Sequence, residues 1–193
     1  ERLMTDVPRP YRSTLREEQS RGTRRRIVDA GAGLFVERGY VPTTIDAIAE
    51  RAGVSRRTVF TSVGSKADIL KLAFDWTLAG DDEPVAIADR PVMQRLMQAD
   101  DPVEVLEAWI AMNAAIAERI ATLYLVFFVA ANADADVANL LATSDGHRLD
   151  GARQVVARLA ELGGLRPGLT IDEAAVILDV LIDPMTHRRF VDI

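Results

Sequence analysis

Between Thr43 and Lys66 the chain sets hydroxyls and guanidiniums where one short helix would present them outward. These are Ser55, Arg56, Arg57, Thr58, Thr61 and Ser62, with Phe60 among them. Arg56 or Arg57 has the fork geometry to grip guanine O6 and N7, worth about 1–3 kcal/mol of base discrimination, while the hydroxyls suit phosphates or base edges. This is recognition chemistry. Little in the chain suits catalysis: there is no cysteine, which removes thiol nucleophiles, disulfide frameworks and thiolate metal sites. The two histidines, His147 and His187, form no His-x3-His or HExxH pattern, and no phosphate loop is present. No catalytic residue, metal or cofactor is expected, and a helical enzyme is disfavoured.

The charge is unevenly placed. The 193 residues carry a net −6, yet residues 1–80 hold 14 Lys and Arg against 10 Asp and Glu, and residues 81–193 hold 9 against 19. A basic N-terminal part on an acidic chain fits a polyanion partner at one end, or ordinary surface variation. The longest apolar run, 120–131, is too short for a membrane span of about 20 residues. The expectation is a cytoplasmic protein without a membrane partner.

Helices must position the outward groups. Residues 1–20, with Pro8, Pro10, Arg9, Arg12 and Arg16, read as a flexible basic arm. A helix is expected from Thr23, with Ile27, Ala30, Leu34 and Phe35 on its buried face and Gly39 at its stop. Thr43 with Asp46 reads as a capping box for a second helix, ended by Gly53. Thr43 and Thr44 would then start that helix, whose N-terminal amides suit a phosphate. Ser55 caps a third helix to about Val63, and Ser65 with Asp68 opens a fourth. Ala49, Ala52, Gly53 and Val54 supply the small residues and the turn of a helix-turn-helix, in which the second helix enters the major groove. Arg24, Arg25 and Arg26 would oppose the dipole of the first helix, so they serve a phosphate partner or are solvated charge. Everything beyond Gly80 reads as helix, with starts at Asp101-Pro102, Thr170 and Asp183-Pro184 and a loosening at Ser144-Asp145-Gly146.

The stretch Ile27–Leu70, centred on TTIDAIAERAGVSRRTVFTSVGSKADIL, resembles the N-terminal domain of TetR-type transcriptional regulators. The resemblance implies an all-α homodimer: a basic arm (1–20), a three-helix DNA-binding domain (21–66) and a helical ligand-binding and dimerisation domain (67–193). It places Arg56, Arg57, Thr58, Phe60, Thr61 and Ser62 on the recognition helix, Lys66 beside the backbone and Thr44 at a phosphate. With Arg24, Thr43 and Ser55 these form the expected DNA-contact set. The chain departs from the family pattern where Phe60 lacks the usual hydroxyl and Ser62 and Val63 replace aromatics, so the phosphate grip should pass to Arg56, Arg57 or the arm. The implied function is a repressor released from a double-stranded operator by a small molecule. The alternative is a nucleoid or division factor of the same fold that senses nothing.

Residues 103–131 are dense in alanine and large apolar groups. Trp76, Trp109, Met112, Asn113, Tyr124, Phe127, Phe128 and His147 could line a pocket for a hydrophobic or amphipathic effector, although such aromatics are equally core material. The final helices would form the dimer in the family pattern, through Ala174, Ile177, Leu178, Leu181 and Ile182, or bury the same stripe within the monomer.

Overall fold

The computed structural model describes the backbone of residues 11–191 and the side chains of residues 16–189. Residues 1–10, including Pro8, Arg9 and Pro10 of the expected arm, lie outside that range, as does the side chain of Arg12. Among the described residues the regular structure is entirely helical. It comprises α1 (Tyr11–Arg38), α2 (Ile45–Ala52), α3 (Arg56–Ser62), α4 (Lys66–Ala79), α5 (Pro91–Gln98), α6 (Pro102–Ala130), α7 (Ala135–Glu161), α8 (Ile171–Ile182) and α9 (Pro184–Val191), with one 3₁₀ turn at Ile87–Asp89.

The expected caps carry most boundaries. Ser65 with Asp68, and Thr170 with Glu173, form reciprocal capping boxes. Asp101 caps α6 ahead of Pro102. Gly53 ends α2 in the left-handed region at φ 66°, which glycine adopts without a Cβ penalty. Four expectations need correction. First, α1 begins at Tyr11, so residues 11–20 of the supposed arm are helical, and Arg24, Arg25 and Arg26 sit mid-helix, beyond the reach of the end dipole. Second, Thr44 caps α2 by accepting from the Ala47 amide; Thr43 does not. Third, α7 runs unbroken through Ser144–Gly146, because an internal glycine costs only about 1 kcal/mol and both ends of the helix are anchored. Fourth, the helical reading beyond Gly80 gives α5 no start of its own, and the structure sets that start at Pro91, after a non-helical stretch from Asp81 to Ala86.

Two cores form. The first joins α1, α2, α3 and α4 to the C-terminal half of α6 and the start of α7, through Ile27, Phe35, Ile48, Val59, Ile69, Phe74, Tyr124 and Phe127. It therefore does not stop at Lys66. The second joins α5, the N-terminal half of α6, the second half of α7, and α8, through Met93, Val105, Trp109, Val155 and Leu178. α6 thus runs through both. By length and composition that helix could cross a membrane, with mean hydropathy 1.5 over its most apolar window, but its inner stripe is the interior of both cores.

Where α1 crosses α4 the spacing is set by Gly31. A Cβ there would stand 2.4 Å from Ile69 Cγ2. Gly31→Ala is therefore expected to destabilise the protein by about 1–3 kcal/mol through overpacking, measured by urea denaturation; an unchanged midpoint would mean that the helices separate freely.

Candidate DNA-reading face and ligand cavity

α2 and α3 meet at a glycine turn, with Ile48, Ala49, Ala52 and Val59 inward. That packing leaves Arg56, Arg57, Phe60 and Thr61 exposed along one side of α3. The eleven residues expected at DNA do not play equal parts there. Arg57 is exposed with no partner among the described residues. Arg56 is occupied: one guanidinium nitrogen bonds both Asp46 carboxylate oxygens, at 3.1 and 2.9 Å, and the group lies 5.7 Å over the Phe60 ring. Ser55 caps α3 by accepting from the Thr58 amide, and the two hydroxyls bond each other at 2.8 Å. The Thr61 hydroxyl donates to the Arg57 carbonyl. Ser62 is half-buried.

At the α1–α2 turn, Thr43 is 1% exposed and donates to the Gly39 carbonyl, so it seals the end of α1 and cannot reach a phosphate. Thr44 is exposed, and its hydroxyl proton remains free beyond its capping role. Lys66 is half-buried: its ammonium lies 4.1 Å over the Tyr40 ring and donates to the carbonyls of Tyr40 and Val41. Burial pushes its pKa down, against the pull of Asp134. It clamps the turn that carries Thr44, whereas the family pattern places it beside the backbone.

Tyr40 also reaches α7. Its hydroxyl donates to Asp134 at 2.6 Å, and Asp134 caps α7 by accepting from the amides of Asp136 and Val137. No sequence signal joins residues so far apart. Burial, then the bond and charge of Asp134, raise the Tyr40 pKa above its ordinary value, while that bond lowers the Asp134 pKa. The tyrosine's contribution to stability is thus fully present below about pH 10 and lost as pH climbs towards the raised value. The aspartate's contribution is present above about pH 4 and lost as pH falls. Tyr40→Phe is expected to cost about 1.5–3 kcal/mol at pH 7. The gap to the wild type should narrow above about pH 10, as urea titrations at both pH values would show.

Arg24 is exposed on α1. The distance up α1 from Arg24 to its C-terminal Arg38 is about 21 Å at 1.5 Å per residue. Arg24 lines a cleft of about 1100 Å³ bounded by α1, α4, the loop 81–88, α6 and α7. The same cleft is lined by Ser62, the last residue of α3, so Ser62 and Arg24 share one wall. Its neighbour Arg21 bonds Asp82 and Glu83 at 2.5–2.9 Å, and Arg25 lies 3.9 Å from Asp82. The basic α1 segment is thus matched to the acidic run 81–83, a complementarity visible in the sequence but unread there.

Six of the eight residues expected at a ligand line this cleft: Trp76, Trp109, Met112, Asn113, Tyr124 and His147. Asn113 donates back to the Trp109 carbonyl. Two do not line it. Phe127 is fully buried in the first core, its ring 5.2 Å from Phe74, and Phe128 is 47% exposed on the outside of α6. Deeper in the cleft, burial opposes the charge of Arg148, but Asp179 and Asp145, each 2.8 Å away, outweigh it and raise its pKa. Burial together with Asp145 and Asp183 pushes Tyr124 up to about 12.

The expected dimer stripe divides in two. Ala174, Leu178 and Ile182 are buried within the monomer, because that side of α8 packs on α7. Ile177 and Leu181 face outward with Val176 and Val180, each more than half exposed.

Residues 27–73 match the family model described as bacterial regulatory proteins, tetR family. Over 53 residues the chain is 38% identical to TtgW, an uncharacterized HTH-type transcriptional regulator of Pseudomonas putida (strain DOT-T1E), covering 28% of this chain and 40% of that protein. Over 49 residues it is 41% identical to the HTH-type transcriptional regulator SrpR of Pseudomonas putida, covering 25% and 23%. The chain thus spans less than half the length of either curated relative. Among solved structures it is similar to a SmeT–triclosan complex, with TM-score 0.66 and 25% identity over 88% of this chain and 81% of that one. It also shares the fold of NalD, the secondary repressor of the MexAB-OprM multidrug efflux pump in Pseudomonas aeruginosa, with TM-score 0.62 and 20% identity over 91% and 87%.

Proposed function

We propose that this chain, a member of the TetR family of transcriptional regulators, is a repressor that holds its operator as a homodimer and lets go when a small molecule fills the cleft. One observation carries the reading: α1, which packs against α2 and α3, also walls the cavity with α4, and Ser62 of α3 lines it as well. A molecule that moves those walls moves α3, and two recognition helices fit successive grooves only at a spacing of about 34–36 Å. Arg57, Phe60, Thr61 and Thr44 are the residues left to touch DNA. Arg56, Ser55, Thr58 and Lys66 hold them in place. The outer stripe of α8 is the dimer face.

The test is selection of bound fragments from the source genome by the full chain, followed by release of the recovered site. Enrichment without sequence preference would sink the repressor reading and favour a nucleoid-type protein.

The cavity wall also indicates what the effector is. Seven carboxylates line it against four cations: Glu17, Asp75, Asp81, Asp82, Glu83, Asp145 and Asp150 against Arg21, Arg24, Lys71 and Arg148. An uncharged or cationic amphiphile suits such a wall better than a carboxylate does. Both tryptophans of the chain, Trp76 and Trp109, line the cavity and will report occupancy. Dodecanol and dodecyltrimethylammonium are expected to perturb their fluorescence at lower concentration than dodecanoate. The reverse order would refute the charge argument.

A further inference from the structure

We propose that Phe60 reads the C5-methyl group of a thymine in each half-site, with Arg56 as its buttress and not a base reader. This rests on the reading of α3 as a recognition helix and adds what one of its residues recognises.

Phe60 is 47% exposed, while the neighbouring Val59 is fully buried. By helical spacing its ring stands on the same side of α3 as Arg57, beside the Arg56 guanidinium. A phenylalanine there has no hydroxyl for a phosphate, so what its ring can offer DNA is apolar contact. In the major groove the thymine methyl is the one apolar group that base pairs of ordinary composition present.

The ring is also held in position. The Arg56 guanidinium lies 5.7 Å over it, and Asp46 fixes that guanidinium through two bonds to a single nitrogen. The chain Asp46–Arg56–Phe60 thus links the first turn of α2 to the outer side of α3. It also neutralises the Asp46 carboxylate, which would otherwise repel phosphates at this face. The cation on one ring face leaves the rest of the ring to the groove. With one nitrogen committed to Asp46, Arg56 is less free to offer a fork to guanine than Arg57, whose guanidinium no carboxylate among the described residues engages, which favours Arg57 as the guanine reader.

The experiment uses the full chain and a site selected from a random double-stranded pool. Each thymine of that site is replaced in turn by deoxyuridine, which removes the methyl group and nothing else. In the wild type, one thymine per half-site is expected to weaken binding about fourfold on replacement, the value of one buried methyl-sized group. Phe60→Ala should abolish that sensitivity while leaving the other positions unchanged, and Phe60→Leu should restore part of it. A misplaced helix would weaken binding at every position alike, so the position-specific loss separates contact from structural damage. The assignment fails if no thymine is methyl-sensitive, or if the sensitivity persists in Phe60→Ala, which would give it to the Thr61 methyl. A pool that yields no preferred sequence would overturn the recognition function itself, and this assignment with it.

Discussion

Replacing Phe127 by alanine is expected to destabilise the protein by about 3–5 kcal/mol, without a specific effect on any small-molecule site. The ring is completely buried and packs on Phe74 at the junction of α4 and α6. Truncating a buried phenylalanine removes its transfer free energy and leaves a void that a close-packed interior closes only in part. Urea denaturation at fixed protein concentration measures the loss; the concentration must be matched because the proposed dimer would add to apparent stability. The neighbouring Phe128, half-exposed on the outside of α6, is the control, and Phe128→Ala should fall within about 0.5 kcal/mol of the wild type. A small loss for Phe127→Ala together with a weakened response to amphiphiles would return Phe127 to the cavity wall.

Arg57→Ala carries the largest expected effect on function. Arg57 is the exposed guanidinium of α3 that no carboxylate engages. A bidentate contact to guanine is worth about 1–3 kcal/mol, a factor of about 10–100 in each half-site. The proposed two-fold dimer would engage two half-sites, so the loss is expected to compound to about 10²–10⁴ on the selected site. Fluorescence anisotropy at one near-physiological salt concentration, on the selected site and on a scrambled duplex, separates two modes. Base reading predicts a loss confined to the selected site. A phosphate contact predicts a smaller loss common to both duplexes and a salt slope shallower by about one. Unchanged affinity for both would remove Arg57 from the interface.

These two residues also show what the amino-acid sequence discloses. α2, α3 and the start of α4 were legible because their signals are local: Gly53 at a left-handed turn, Ser55 and Ser65 at caps, and apolar residues spaced for one face. The cavity is partly legible, since Trp76, Trp109, Met112, Asn113, Tyr124 and His147, all expected at a ligand, do come together. Phe127 was misplaced because periodicity shows which side of a helix is inward but not whether inward means packed side chains or a void; both call for the same residue types. Phe128 was misplaced because one step along a helix turns a side chain by 100°, enough to move it from core to surface. The neighbourhood of Arg24 is illegible for a different reason. Its surroundings are set by a loop brought alongside α1 by the fold of α4, and nothing near Arg24 in sequence encodes that approach. α8 is apolar on so much of its circumference that its inner and outer stripes merge in the sequence, and only packing against α7 separates them.

The upper part of α1, fastened through Arg21 to Asp82 and Glu83, bears on how such proteins can be recombined. A designer wishing to move the proposed reading head onto another sensor would naturally cut at Gly80, where α4 ends in a left-handed glycine. That cut leaves the carboxylate partners of Arg21 on the discarded side, while α1 still carries Glu17, Ser20, Arg21 and Arg24 from the old cavity wall into the new protein. A transferable cassette has to run from α1 to beyond Glu83. Even then it brings one wall of its original binding site along, so the head and the choice of ligand would be inherited partly together.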